Sequence, residues 1–402
     1  MTTVSAPMAG WQRTTRLHFG AEAGRQTLAQ GPAVPTVLLT DLYLPASVTD
    51  PLAAAAEAAA PGRLRTLRLD PATVTLESIE ELAGQLAGAA RLVAVGGGSV
   101  LDAAALARLL AADADAAPRI RHGGARPGLV AFPAQSGSAA GCELVAVPTT
   151  VGTAAESSAA ATVLVADARK LVMCASIAAD IAVLDPRATA TLPRHLLLEG
   201  VLEALCRLLN TYVLTPGPNC PAAGDAEARS LLTRLARAGH TAAGTPAAPD
   251  ELRAEIALLS AQTVLGWSML GRDPFAGKVW YLSNELSLAA GVRKMSATVT
   301  VLPVVWSRIL DGDTRFGEAA RLRAAWQAVQ RGLPELPDHP AEGVRELARR
   351  WDVAPCPPDT ADPARLAARA ARGWGSGLPM LGAFRTHELR TLYADVLEGA
   401  VA

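Results

Sequence analysis

No two cysteines stand close enough to form a CxxC motif: Cys142, Cys174, Cys206, Cys220 and Cys356 are scattered singly along 402 residues. Their isolation argues against a zinc ribbon or a dithiol redox motif and suits a reducing cytoplasm. Charge of one sign is also lacking. The formal net charge is −1, so no strong field invites nucleic acid or an anionic membrane surface. No apolar run reaches about 18 residues without a charged or strongly polar group, so no membrane-spanning helix is expected. The opening MTTVSAPMAGW has neither the charged start nor the apolar core of a signal peptide. Internal repeats are absent as well.

What the chain does have is apolar material, at 50% of residues, enough for two or three domains with cores of their own. Alanine, arginine and leucine dominate, a base-composition bias that inflates apparent helix propensity. Apolar strands are expected at 36–39, 63–69, 91–96, 143–150 and 180–186, with 161–167 and 170–175 as a hairpin. Helices are expected at 51–60, 78–90 and after the glycines at 96–98. Strands alternating with helices predict a parallel α/β sheet. A Gly-, Ser- and Pro-rich loop is expected at 117–141. From 188 onward the periods are almost all helical, with loops at 213–224 and 331–341. The expected domains are 1–187, an α/β dinucleotide-binding domain, and 188–402, an all-helical substrate and catalytic domain.

VAVGGGSVLD (93–102) is a strand, a glycine turn and a helix start. Glycine lets the backbone turn sharply and approach a ligand, and the helix N-terminus suits a diphosphate. Asp102 can cap or orient that turn. The spacing is not GxGxxG, so the usual dinucleotide fingerprint is missing, and a turn of this kind is as often structural. VPTTVGT (147–153) adds hydroxyls and another glycine after a second strand. Two such loops at strand C-termini suit a nucleotide across a crevice. Asp41 ends the first strong strand, where a carboxylate bonds ribose hydroxyls and repels a 2′-phosphate. It reads equally well as a turn aspartate.

In order, GGGSVLD (96–102), VPTTVGTAAE (147–156), a lone Lys170, DIAVLDP (180–186) and TLPRHLLLEGVLEAL (191–205) resemble the iron-containing (group III) alcohol dehydrogenases and the dehydroquinate synthase-like fold, as does TRLHFGAEA (15–23). The resemblance covers most of the chain. It implies an active site in the cleft between the two domains, a homodimer and an NAD cofactor. Gly97, Gly98, Ser99 and Asp102 would sit at the diphosphate, Thr149, Thr150 and Thr153 along the nucleotide, and Lys170 near the ribose. Asp41 matches the family aspartate linked to preference for NAD.

The chain departs from that family at its metal ligands. Metal-binding members carry Asp and His four apart on one helix, then a His, then a second His fourteen residues later, followed by an LP pair. Here those positions hold Glu203 and Arg207, then Trp280 and Lys294, with LP at 302–303. A further family histidine, four after the third ligand, becomes Asn284. The six histidines, His18, His122, His195, His240, His339 and His387, all lie elsewhere. Indole cannot ligate, and Arg and Lys are cations at neutral pH. One carboxylate does not make a catalytic divalent site, so no metal is expected.

A fixed cation can supply part of the charge that a metal gives to an alkoxide. Lys294 and Arg207 are the candidates, with Glu203 holding Lys294. A lysine buried beside Arg207 would have a lowered pKa and could act as the base instead. Tyr281 or Asn284 could bond the substrate, and Asp273 in GRDPF is a candidate base. Trp280 is expected to shape the pocket. A Glu–Arg pair four apart can equally fill the space of a lost metal. The expected activity is NAD-dependent oxidation of a secondary alcohol in specialised biosynthesis. The dehydrogenases of daptide-type ribosomal peptide pathways resemble this family. Such an enzyme would oxidise the C-terminal threonine of a precursor peptide, and the β-keto acid would lose CO₂ to leave a ketone. The alternatives are a non-catalytic dehydrogenase-fold partner protein within a biosynthetic complex and a sugar-phosphate cyclase. Related synthases keep a Glu near position 203, but they also use metal histidines.

Overall fold

Residues 36–40 and 91–96 are buried along their whole length, as strands covered on both faces must be. Their side chains divide between two cores. Val37, Leu39, Leu92 and Ala94 pack on one face of the sheet, and Leu38, Val93 and Val95 on the other. Each valine or leucine so removed from water contributes about 1.5–3 kcal/mol. The computed structural model describes residues 15–122, 128–133, 141–214, 220–273, 275, 277–357, 360–375 and 377–399. The described residues form two compact units, one drawn from 13–193 and 248–258, the other from 194–247 and 259–402.

The first unit contains β1 (Arg16–Phe19), α1 (Ala23–Ala29), β2 (Thr36–Asp41), α2 (Ala46–Ala59), β3 (Leu64–Leu69), α3 (Leu76–Gln85), β4 (Arg91–Gly96), α4 (Gly98–Ala112), α5 (Ala116–His122), β5 (Leu129–Ala131), β6 (Glu143–Pro148), β7 (Ala160–Val165), β8 (Ala168–Met173) and β9 (Ile181–Leu184). Six strands form a sheet in the order β1-β9-β6-β4-β2-β3, with every pair parallel. A second sheet, β5-β8-β7, contains the expected hairpin as the antiparallel β7–β8 pair.

The expected loop at 117–141 needs correction. It holds most of α5 and all of β5, and β5 pairs with β8 through Leu129–Ala131. Its polar composition hid Ile120 and Val130, which are buried in the sheet core. Residues 123–127 and 134–140 lie outside the described residues. The helix expected at 78–90 starts earlier, at Leu76. There Thr75 and Ser78 form a reciprocal capping box, which satisfies two orphan N–H groups.

The second unit is helical: α6 (Arg194–Tyr212), α7 (Ala222–Ala243), the end of α8 (Asp250–Leu265), α9 (Lys278–Ala290), α10 (Lys294–Leu310), α11 (Ala319–Gly332), α12 (Pro340–Arg350), α13 (Pro363–Trp374) and α14 (Thr386–Glu398). Helix α6 is buried almost all round and packs on α7, α10 and α11. A helix of that kind belongs at the centre of a core. The loop expected at 331–341 lies between α11 and α12. The one at 213–224 is shortened by α7, and residues 215–219 lie outside the described residues. Among the described residues no helix is long and apolar enough to cross a membrane.

Candidate active site

Strand β4 runs into Gly97, the N-cap of α4, and no side-chain cap is made there among the described residues. Its first N–H groups and positive dipole end are therefore available to an anion. Close packing explains the glycines. A Cβ on Gly98 would lie 3.0 Å from Thr153 Cγ2, and one on Gly97 would lie 3.3 Å from Thr150 Cγ2. The loop after β6 thus packs directly on the glycine turn, tied by the Thr149 N–H donating to the Gly96 carbonyl at 2.9 Å. Thr149 is buried. The Thr150 hydroxyl is buried with no partner among the described residues. A hydroxyl kept in that state is an unmade hydrogen bond, worth about 1–3 kcal/mol to whatever completes it.

Asp41 ends β2 and is half-buried, and its Oδ1 accepts from the Tyr43 N–H at 2.9 Å. Ser99 lies in the first turn of α4. Asp102 accepts from both the N–H and the hydroxyl of Thr162 at 2.9 Å, which ties α4 to β7. Lys170 is buried, and its Nζ donates to the carbonyls of Ile120 (2.7 Å) and Arg121 (3.1 Å) at the C-terminal end of α5. Burial lowers its pKa. Lysine is well suited to that task, since the last carbonyls of a helix lack intrahelical donors.

The helical unit holds a second polar group. Glu199, Glu203 and Arg207 recur every four residues and so share a face of α6. They meet the start of α10. Helix α9 ends at Gly291, a left-handed C-cap with φ +64°, a conformation glycine adopts freely. The short turn that follows delivers Arg293 as the N-cap and Lys294 as the first residue of α10. Two cations at a positive helix end oppose the dipole by about 0.3–1 kcal/mol each. The carboxylates of α6 compensate. Arg293 Nε donates to Glu199 Oε1 at 2.7 Å, and Lys294 Nζ to Glu203 Oε1 at 2.8 Å. The Lys294 ammonium also stands over the Trp280 ring, 4.2 Å from its centroid, a cation–π contact. Burial pushes the Glu203 carboxyl up, but the Lys294 and Arg207 charges outweigh it and hold the pKa below its ordinary value. The neighbouring Cys206 thiol is pushed up to about 12 by burial and by Glu203, so it is no nucleophile.

The structure therefore brings together Glu203, Trp280 and Lys294, with Arg207 acting on the same carboxylate. Arg207 Nη1 donates to the Thr263 hydroxyl at 2.7 Å. Asn284 is half-buried and one turn beyond Trp280 on α9. Tyr281 is buried with its ring 4.9 Å from that of Trp374. Burial, with Asp273, raises its phenol pKa, so the hydroxyl stays protonated. Asp273 is exposed, and its Oδ1 accepts from the Phe275 N–H at 2.8 Å. Sequence reasoning missed the Glu199–Arg293 bridge. It also missed Asn210, whose buried amide nitrogen has no partner among the described residues. Both had a signal: Glu199 stands four before Glu203 and Asn210 three after Arg207.

A divalent metal does not fit this group. Two of the four positions carry cations, the indole has no lone pair to give, and the Glu203 oxygen is held by Lys294. Among the described residues no three His, Cys, Asp or Glu side chains are grouped to hold a metal ion. A dinucleotide does fit the strand ends of the first unit: an uncapped helix N-terminus, glycines at close approach, an unpartnered buried hydroxyl and a carboxylate one strand away.

Residues 15–186 match the family model for iron-containing alcohol dehydrogenase. A phosphonoacetaldehyde reductase of Streptomyces viridochromogenes is 39% identical over 153 residues, which is 35% of this chain and 37% of that protein. That match therefore spans little more than a third of the relative. The iron-containing alcohol dehydrogenase of Thermococcus thioreducens superposes with a TM-score of 0.73 at 20% identity, covering 97% of this chain and 100% of that one. Sulfoacetaldehyde reductase of Bifidobacterium kashiwanohense, solved with NAD+, gives 0.72 at 15% identity, covering 98% and 99%. The likeness to iron-containing alcohol dehydrogenase folds covers 97–98% of the chain, and residues 15–186 match that family in sequence as well.

Proposed function

We propose that this protein is an NAD-dependent oxidoreductase that moves hydride between an alcohol and the corresponding carbonyl compound without a metal ion. The observation that carries the reading is the Lys294 ammonium, held by Glu203 at 2.8 Å and by the Trp280 ring at 4.2 Å. Bound NAD supplies the hydride acceptor. Gly97, Gly98 and Ser99 with the α4 N-terminus hold the diphosphate, and Thr150 and Thr153 line the nucleotide. Lys294 donates to the substrate oxygen and stabilises its negative charge, the part that electrostatic preorganisation plays in other enzymes. Glu203 fixes the ammonium, and Arg207 keeps Glu203 ionised. Asn284 adds a hydrogen bond to the substrate.

The substrate class follows from the same cations. Arg207 and Lys294 suit an anionic group next to the reacting carbon. The C-terminal threonine of a ribosomal precursor peptide of the daptide type carries its carboxylate there. Oxidation passes two hydrogens to NAD+ as NADH and a proton, and the β-keto acid then releases CO₂ and becomes a ketone. Phosphonoacetaldehyde and sulfoacetaldehyde, named in the two reductases, place an anion beside a carbonyl in the same way and are the small-molecule probes. A homodimer and a partner protein from the same pathway belong to this proposal.

The purified protein is expected to hold no stoichiometric zinc or iron by elemental analysis, to keep its activity in chelator, and to form NADH with a threonine-terminated peptide as CO₂ is lost. About one tightly held metal per chain, with activity lost to chelator, would restore the cyclase alternative. NAD binding with no turnover of any peptide or anionic aldehyde would leave only the non-catalytic role.

A further inference from the structure

Tyr43 is 70% exposed, more than Phe19, Trp267 or Leu42, yet it is fixed at both ends. Its N–H donates to Asp41 Oδ1 at 2.9 Å and its hydroxyl to Asp70 Oδ2 at 3.3 Å. The two carboxylates follow adjacent parallel strands, with Asp41 paired to Leu69 in register and the Leu42 N–H donating to the Leu69 carbonyl at 2.9 Å. Asp70 also holds its own turn, Oδ1 accepting from the Ala72 N–H at 2.9 Å. An exposed aromatic ring is thus clamped between two half-buried carboxylates on the rim of the sheet. Arg68, the cation nearest in sequence, makes no ion pair with either among the described residues.

The strand order supplies a ruler. β4, β2 and β3 are consecutive in the sheet, and neighbouring strands lie about 4.8 Å apart. A diphosphate on the α4 N-terminus sits at the end of β4. The adenosine ribose then falls at the end of β2, beside Asp41. The 2′-position and adenine reach the end of β3, roughly 10 Å from the diphosphate strand, where Tyr43 and Asp70 lie.

We infer that Asp70 is a second selector against the 2′-phosphate of NADP, set in place by Tyr43, and that the Tyr43 ring is the platform for adenine. The inference rests on the cofactor reading above. A 2′-phosphate brought there meets two carboxylates, neither of them ion-paired among the described residues. Removing Asp41 alone therefore leaves half of the repulsion.

Nicotinamide-fluorescence titrations of the full chain with NADH and NADPH test this, with the wild type measured first. Asp41→Asn and Asp70→Asn each tighten NADPH about fivefold, the scale of one exposed charge interaction, and the double variant tightens it by about the product. NADH affinity changes little in Asp70→Asn, and falls in Asp41→Asn and the double variant, where the charged acceptor for the ribose hydroxyls becomes a neutral one. Tyr43→Ala weakens NADH on the order of tenfold, the scale of one base–aromatic stack. It leaves reduced nicotinamide mononucleotide, which lacks adenine, unchanged. Tyr43→Phe keeps NADH binding and loosens Asp70, so NADPH tightens slightly. If Asp70→Asn binds NADPH as the wild type does while Asp41→Asn binds it more tightly, Asp70 is only a turn cap and the inference fails. If the wild type binds neither nucleotide, the cofactor reading falls and takes this inference with it.

Discussion

The rim of the sheet and the start of α10 both present a helix N-terminus, and they treat it in opposite ways. At α4 the end is left uncapped, with glycine and serine in the first turn and backbone N–H groups as the functional surface. At α10 the end carries Arg293 and Lys294, so side-chain charge is the functional surface and the dipole works against it. A backbone surface tolerates few residues other than glycine, because the constraint is space. A side-chain surface can be rebuilt by substitution as long as its charges are met, as Glu199 and Glu203 meet them here. Local rules are broken at α10 and kept at α4, and breakage of this kind concentrates at functional sites.

Four experiments would break or sharpen that contrast. The largest effect is expected from Lys294→Met, which keeps the length of the side chain and deletes its charge. Turnover should fall about 100- to 1000-fold, the usual loss for one preorganised donor, while NADH affinity stays within about twofold. Wild-type turnover by this variant on any accepted substrate would reduce the cluster to a core ion pair. Next is Gly98→Ala, whose Cβ would lie 3.0 Å from Thr153 Cγ2. NADH should bind about tenfold more weakly, the scale of one overpacked methyl. Adding Thr153→Ser, which removes that methyl, should recover most of the loss.

Glu203→Gln should lower turnover by about tenfold, since a charge-assisted bond becomes a neutral one. It also carries a pH signature. The folded state holds Glu203 below its ordinary value of 4.5, so the unfolded chain binds that proton more readily. The stability this contributes is complete above the ordinary value and is lost as pH falls through the depressed one. Thermal melts from about pH 6 down to about pH 3 should show the gap between wild type and Glu203→Gln closing on acidification. A gap that widens would reverse the assigned shift. The smallest effect is expected from Thr150→Val. It removes a buried hydroxyl that has no partner among the described residues, so stability should hold or rise and NADH affinity should fall about fivefold, the low end of the value of one such bond. Unchanged affinity would mean that the hydroxyl is idle.

Much of the sheet unit could be read from the chain because its signals are contiguous. Each central strand is a buried apolar run, and the glycine turn and the threonine loop are short local words. The hairpin of β7 and β8 was legible for the same reason. Lys170 was not, because its partners are carbonyls of α5, and α5 is hidden in a stretch whose Gly, Ser and Pro content reads as loop. In the helical unit the resemblance supplied positions 203, 207, 280 and 294, and the contact of Glu203 with Lys294 was expected from them, but the stacking of that ammonium on Trp280 was not. The ammonium over the indole joins residues fourteen apart that lie on two helices, and neither periodicity nor spacing fixes how those helices turn. Tyr281 had the polarity of a substrate contact and turned out to pack on Trp374, ninety-three residues away in sequence.

The two bridges from α6 to α10 also act as a key. Apolar helices packed side by side can slide by a turn at modest cost, since one leucine replaces another at the seam. Glu199 and Glu203 forbid that here. A one-turn slip of α10 would leave a nearly buried carboxylate facing hydrocarbon, a penalty of several kcal/mol, and would strand Lys294 at the wrong level of the indole. Only one register lets both cations find their carboxylates together, so the pairs that hold the ammonium in place also decide how the central helices of this unit align as the chain folds.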